Sequence, residues 1–310
     1  MASTHAVCVS PLPVWLDWAR LLGPAASASG GQASGGQASG GQGFGAEGWA
    51  LTEVPGGLEA RAVLSSTAAA DLGARLRGLG FDGHLLRCEV DPPVRRAVVR
   101  AARSEDARRR RVGSPGFRRK GARLDQEGRW SLTPEALALA LAAEAAGVRV
   151  VDAGCGAGGN AIAFARRGCA VLAIEADRER LELARHNAGL YGVRDRIRFV
   201  HGDAIVLVPT FADPSALLFI DPPWGPDYDR RSCGLDSLPL LAALLPLAYE
   251  GGALGRPRFG RLWIKLPPSF DTGTLPKAKH RRVRAVFGEA SGDRRRVKFL
   301  LASGRLPGGG

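Results

Sequence analysis

Two short stretches of the chain hold residues whose types and spacing could do chemistry. In the first, Asp152-Ala153-Gly154-Cys155-Gly156-Ala157-Gly158-Gly159-Asn160, an apolar run meets a helical pattern. Glycines there let a ligand approach the main chain, and a helix N-terminus offers free N–H groups, so a nucleotide-like cofactor belongs at this turn. Gly154, Gly156 and Gly159 also satisfy GxGxxG, and Glu175 falls where a dinucleotide enzyme binds ribose, which keeps a nicotinamide dehydrogenase in view. Asp152 argues the other way. Its charge would repel a neighbouring pyrophosphate but suits a ligand carrying a positive amino or sulfonium group. Glu175, closing the next apolar run, could accept both ribose hydroxyls, and Asp203, closing the third, an adenine amino group. Each acid taken singly also fits a helix N-cap, whereas the three at successive strand ends converge on one crevice.

The second stretch is Asp221-Pro222-Pro223-Trp224, after a fourth apolar run. The exocyclic amino group of a base is a poor nucleophile because its lone pair is delocalised into the ring. An Asp221 oxygen and the Pro222 carbonyl can each accept one N–H and so aim that lone pair at a methyl donor without a strong base. The two prolines stiffen the loop, and Trp224 offers a flat face for stacking; a structural Pro-Pro turn beside a core tryptophan is the bland counterpart. Trp130 could form a second wall of a base sandwich or simply pack, and Tyr228 could line the same pocket or do the same. His186, His201 and His280 have no spacing that points to a metal or a triad, and no metal is expected.

Positioning these residues requires alternating strands and helices. From Trp130 the pattern supplies them: a helix capped by Thr133 with Pro134 at its first position, then VRVVDAG (148–154), a helix through Phe164, AVLAIE (170–175), a helix over 178–191, IRFVHGD (197–203), ALLFIDPPW (216–224), a helix near 235–249 and RLWIKL (261–266). Short continuous apolar runs separated by helices predict a parallel sheet covered on both faces. VRAVF (283–287) and VKFLLA (297–302) predict an antiparallel edge pair. The expected fold class is therefore α/β, a Rossmann-like, mostly parallel doubly wound sheet.

The remaining sequence is basic and partly of low complexity. Of a formal net charge of +13 over 310 residues, two segments carry almost everything. Thirteen basic residues face four acids between Arg87 and Arg123, and nine face two between Lys277 and Lys298, which leaves the rest slightly acidic. A polyanion such as a nucleic acid is the partner such clustering suits. ASGGQ repeats over 28–42 predict a flexible linker at 25–46, preceded by a short segment (1–24) whose stretch PVWLDWARLL suggests a docked helix. Residues 47–122 form a small basic accessory region. The helical run opened by Pro92 and Pro93 fits either an arm that orders on nucleic acid or a solvated arginine-rich helix. Five cysteines without a CxxC argue for a reducing, intracellular compartment, cytoplasmic or nuclear. No apolar run reaches the roughly 18 residues of a membrane span, and the amino terminus lacks the pattern of a secretory signal. Oligomeric state is not legible.

Through RLDQEGRWSLTPE (123–135), VDAGCGAGGN (151–160), AIEADRERLELARHNAGLYGVRDRIRFVHGD (173–203) and DPPWGPDY (221–228), the chain resembles the RNA cap guanine-N2 methyltransferase family, typified by trimethylguanosine synthase. The resemblance implies a class I methyltransferase domain over 123–305, with S-adenosylmethionine as cofactor held by Asp152, Gly154, Gly156, Asn160, Glu175 and Asp203. It implies that Asp221 and Pro222 receive the guanine amine and Trp224 stacks on the base. Arg123 stands where the family has a basic residue, and Ser131 and Thr133 fall in the stretch that shapes the cap pocket. Two departures matter: Gly225 stands alone where the family has two glycines, and Leu266-Pro267-Pro268-Ser269 replaces an LPRN-like stretch, removing an arginine expected on the cap phosphates. The implied activity is methylation of guanine N2 in capped or structured RNA. Another base amine in rRNA, tRNA or DNA is the nearest alternative, and a non-catalytic RNA-binding scaffold a further one.

Overall fold

The computed structural model describes residues 3–25, 48–224, 229, 233–249, 258–276 and 281–306. Most of the expected linker (26–46), Tyr228 and His280 lie outside the described residues.

The amino-terminal unit runs β1 (Thr4–Leu12), α1 (Trp18–Leu22), β2 (Ala50–Val54), β3 (Gly57–Ser65), α2 (Ser66–Leu76), β4 (Gly80–Phe81), β5 (His84–Leu85), β6 (Arg87–Asp91) and α3 (Arg96–Arg110). Its four-stranded antiparallel sheet has the order β2-β3-β1-β6. The first segment is thus no appendage: β1 lies between β3 and β6, paired Thr4 with Ser65 and Ala6 with Asp91. Alternation explains this, since His5, Val7, Val9 and Leu12 face inward while Thr4 and Ala6 face out. The helix expected over PVWLDWARLL shrinks to α1, capped by Asp17, whose carboxylate accepts from the Arg20 N–H. Ala25, placed in the linker by composition, is buried. The arginine-rich run is neither a free arm nor solvated all round. α3 packs Val98, Val99 and Ala102 against Ala70 and Ala74 of α2.

The second unit continues α4 (Gly128–Ser131), α5 (Glu135–Glu144), β7 (Arg149–Ala153), α6 (Gly159–Arg166), β8 (Ala170–Glu175), α7 (Arg178–Leu190), β9 (Ile197–His201), α8 (Ala204–Leu207), β10 (Asp213–Ile220), α9 (Pro239–Tyr249), β11 (Phe259–Leu266), β12 (Arg282–Phe287) and β13 (Val297–Arg305). The sheet order is β12-β13-β11-β10-β7-β8-β9. β7 to β11 are parallel and β13 runs antiparallel to both neighbours, as the apolar runs predict. Strand periodicity divides the core between the faces. Leu217 and Phe219 of β10 join Leu141, Phe164 and Leu181 under α5 to α7, while Leu218 and Ile220 join Leu241, Leu245 and Ile264 under α9. The second cluster runs on without a break into Val7, Val9, Leu12 and Leu21, so the amino-terminal unit shares a core with the sheet.

One expected cap is corrected. Pro134, not Thr133, caps α5, and the Thr133 hydroxyl, buried, makes no hydrogen bond. The Glu135 N–H that such a cap would serve is accepted by the Pro115 and Gly116 carbonyls. No described helix is long and apolar enough to cross a membrane.

Candidate active site

The strand order reverses at β7, between β8 and β10, and a crevice opens there above the carboxyl ends of the strands, the usual ligand position in such sheets. Its volume is about 310 Å³, and Gly154, Gly156, Glu175, Asp203, Asp221 and Pro222 all line it. The loop after β7 holds Gly154, Gly156 and Gly158 at φ of 92°, 55° and 91°, a conformation that only glycine adopts without strain. A Cβ on Gly156 would meet nothing within 4 Å and one on Gly154 only Leu240 at 3.5 Å, so the cradle faces open space.

The three acids sit at successive strand ends in different states. Glu175 accepts from the Gly156 N–H at 2.8 Å and from the Asp177 N–H at 3.0 Å, which fixes the glycine loop to β8. Asp203 accepts from the Ile205 N–H at 2.8 Å and caps α8. Asp152, expected at the crevice with the other two, is not among its lining residues: it is fully buried in β7, and neither of its oxygens has a hydrogen-bond partner. Burial, then the nearby Asp221 and Glu175 charges, push its carboxyl well above the usual carboxylate range; the Lys265 ammonium and the Ala161 N–H pull the other way without bonding to it. An unpaired buried acid is costly and awaits a donor or cation.

Asp221 follows β10 and is held from two sides. Its Oδ2 accepts from Lys265 Nζ at 2.8 Å and from Asn160 Nδ2 at 2.9 Å. Lys265 is 3% exposed, donates also to the Ser131 carbonyl at 3.2 Å, and lies 5.1 Å from the centre of the Trp224 ring. The parallel register pairs Ile220 with Ile264, which brings positions 221 and 265 side by side. This lysine is not marked by the sequence alone. Its signal was a lone charge inside the apolar run RLWIKL, uninformative until the pairing of β10 with β11 is known. Arg180 at the rim is not marked either; it is paired with Asp125 and Glu127, which line the crevice with it.

The other expected site residues are placed unevenly. Asn160 reaches the crevice but gives its amide to Asp221. Thr133 lines the crevice with its hydroxyl buried and unpartnered, and Ser131 lines it while its hydroxyl bonds back to the Glu127 carbonyl. Trp224 is partly buried against both core clusters and is not among the lining residues. Trp130 is 75% exposed and also outside the lining, because α4 turns it to solvent. Arg123 is exposed and held through its main chain by Asn187.

The donor set fits S-adenosylmethionine: an unpaired buried carboxylate for a cationic end, glycines without a Cβ where the chain must be approached, and acids closing the next two strands. Among the described residues no group of His, Cys, Asp and Glu could hold a metal.

Comparison with known proteins points the same way. The sequence model of the RNA cap guanine-N2 methyltransferases matches residues 147–236, from before the glycine loop to beyond Trp224. Trimethylguanosine synthase of Schizosaccharomyces pombe is 32% identical over 163 residues, 50% of this chain and 65% of that protein. Release factor glutamine methyltransferase of Chlorobaculum tepidum is 36% identical over 110 residues, 33% of this chain and 37% of that one. Among solved structures, TrmN from Thermus thermophilus aligns with a TM-score of 0.39 and 28% identity, covering 57% of this chain and 50% of its own. The chain spans less than two thirds of the length of each of these relatives.

Proposed function

We propose that the chain is an S-adenosylmethionine-dependent methyltransferase of the class I fold, resembling the RNA cap guanine-N2 methyltransferases, and that its acceptor is the exocyclic N2 amine of a guanine in RNA. The observation that carries this reading is the tethered Asp221. Lys265 and Asn160 both hold Oδ2, and Oδ1 carries no hydrogen bond among the described residues.

The cofactor, when bound, supplies a methyl group activated by a neighbouring sulfonium. Asp152, buried just before the glycine loop, would offer its charge to the positive end of that ligand, and Glu175 and Asp203, which line the crevice, keep spare lone pairs that would receive its sugar and base. Asp221 Oδ1 and the Pro222 carbonyl each accept one N–H of the acceptor amine, which localises the lone pair and directs it at the methyl carbon. Asp221 Oδ1 then takes the proton that the alkylated nitrogen gives up. Lys265 balances the Asp221 charge and orients the carboxylate for both tasks. Trp224, fixed by core packing and by Lys265, gives the base a rigid wall next to the loop.

The test is transfer of labelled methyl groups to capped, uncapped and structured RNAs, followed by identification of the methylated nucleoside. N2-methylguanosine is expected, and Asp221→Ala should abolish it while binding of S-adenosylhomocysteine persists. A methylated adenine instead would move the assignment to another base amine. No incorporation into any RNA would leave the RNA-binding scaffold.

A further inference from the structure

A second cavity, of about 460 Å³, opens between the amino-terminal unit and the methyltransferase sheet. Arg75 and Arg77 from the end of α2, Arg110 from α3, and Arg295, Arg296 and Lys298 from the turn into β13 and its start all line it. Pro268 and Ser269 close it on the side of the sheet, just past the carboxyl end of β11. Ser269 lies four positions beyond Lys265, so the cavity sits at the same end of the sheet as the crevice, one strand further along.

The positive charge here is not balanced. Asp293 pairs with Lys298, and Asp106 takes both Arg110 and Arg296. Arg75, Arg77 and Arg295 have no carboxylate within salt-bridge distance among the described residues. Arg75 is held instead by the Leu21 and Leu22 carbonyls, and its Nε, like that of Arg296, is buried without a hydrogen-bond partner. The Arg295 guanidinium lies against the backbone of Gly23, where a Cβ would come within 2.3 Å of it. Burial pulls the Arg75 guanidinium down to about 10, and Arg295, Arg296 and Arg109 add to the effect against the opposing pull of Asp71. Like charges crowded in a half-enclosed cavity with unused N–H donors are costly unless an oxyanion joins them. Guanidinium forks match phosphate oxygens in geometry as well as charge.

The geometry points to a phosphate-binding pocket, formed jointly by Arg75, Arg77, Arg295 and Arg296, that grips a phosphate of the RNA substrate beyond the acceptor nucleotide. This rests on the proposed RNA substrate. It also accounts for the loss of the LPRN-like arginine: Pro268 and Ser269 stand at that place in sequence and form one wall of a cavity whose cations come from the amino-terminal unit and β13.

The experiment measures binding of a fluorescent single-stranded oligoribonucleotide, without methyl donor, across a range of salt concentrations. The full-length protein is compared with its Arg77→Ala/Arg295→Ala variant. With two phosphate contacts removed, affinity at about 0.1 M salt should fall roughly tenfold, and the slope of log K against log salt should become shallower by about 1.4, at roughly 0.7 per contact. Circular dichroism and S-adenosylhomocysteine affinity should stay as in the parent, and Arg77→Ala alone should give about half the change in slope. Oligonucleotides with a 5′-hydroxyl and a 5′-triphosphate distinguish the source. An equal loss for both assigns a backbone phosphate, and a loss confined to the second assigns the terminal phosphates. Unchanged affinity and slope with both would overturn the pocket. Because nothing is methylated, this result is independent of which atom the enzyme modifies, and repeating it in Asp221→Ala keeps the two failures apart.

Discussion

Replacing Asp152 by Asn should stabilise the ligand-free protein while disabling it. The native carboxyl is fully buried, unpartnered and close to two other acids, so its pKa is raised. An acid with a raised native pKa binds more protons folded than unfolded, so between the unfolded value of about 3.9 and the native value stability falls as pH rises. Each pH unit in that window costs about 1.4 kcal/mol, which sets a ceiling of about 4 kcal/mol at pH 7. The asparagine amide escapes this penalty but is itself buried in the same place, which returns about 1–3 kcal/mol. The net gain is at most about 1–3 kcal/mol near pH 7.5, roughly 1.5–5 °C in Tm for a chain of this size. It should shrink to nothing or reverse as pH falls towards 4, where the parent carboxyl is protonated without cost. Thermal unfolding of both proteins from pH 4 to 8.5 reads this directly. Calorimetry should show S-adenosylhomocysteine binding weakened by about 2–3 kcal/mol, a factor of roughly 30 to 150, through loss of the charge that meets its amino group. An Asp152→Asn variant less stable than the parent at pH 7.5, or a difference that does not vary with pH, would refute the account of Asp152 as an uncompensated acid awaiting a cationic ligand.

Lys265→Met should act in the opposite sense. It strands Asp221 next to Asp152, so unfolding free energy should drop by about 3–5 kcal/mol and kcat should collapse by more than cofactor affinity changes; an active, equally stable variant contradicts the tether. Glu135→Gln probes the scaffold behind the crevice. Burial alone would raise the Glu135 carboxyl, but the Tyr191 hydroxyl, the Arg118 N–H and the Arg166 guanidinium hold it below the usual carboxylate range. A lowered native pKa contributes stability that is present above the unfolded value of about 4.3 and is lost as pH falls through the native one. The substitution should therefore cost about 1.5–3 kcal/mol at pH 7, with the gap to the parent closing below about pH 4 in urea titrations.

What was legible in the sequence is what local pattern encodes. The glycine loop, Glu175 at the end of β8 and the Asp221-Pro222-Pro223 turn follow apolar runs whose length and flanks announce strands, and they meet at one crevice, while Asp152 of β7 is buried outside its lining. Features set by pairing between distant segments were not legible. β1 alternates over Thr4–Leu12, yet its partners β3 and β6 lie across a low-complexity tract, and the apolar stripe after it reads as a helix. Trp130 and Trp224 are equally aromatic in sequence. One stands on a four-residue helix facing solvent and the other packs against two core clusters, a difference that only tertiary packing makes. Thr133 has the residue type of a cap, but a carbonyl from the 115–116 loop arrives first.

The charges of the crevice explain why one acid remains unmatched. Asp152, Glu175 and Asp221 lie close enough to raise the pKa of the first, and two cations are at hand. Lys265 is taken by Asp221, and Arg180 by Asp125 and Glu127. Glu175 is satisfied by two main-chain N–H groups. Both side-chain cations are thus committed elsewhere, and Asp152, with only the Ala161 N–H and the Lys265 charge pulling on it, keeps a deficit that a cation can fill and a pyrophosphate would worsen. The same allocation leaves Asp221 with one oxygen tied to Lys265 and Asn160 and one unbonded among the described residues, which suits an acceptor for a neutral amine better than a partner for a second cation. In the proposed function a single buried lysine on β11 would therefore sort two neighbouring carboxylates into different roles, Asp152 towards the positively charged methyl donor and Asp221 towards the neutral nitrogen that receives the methyl group.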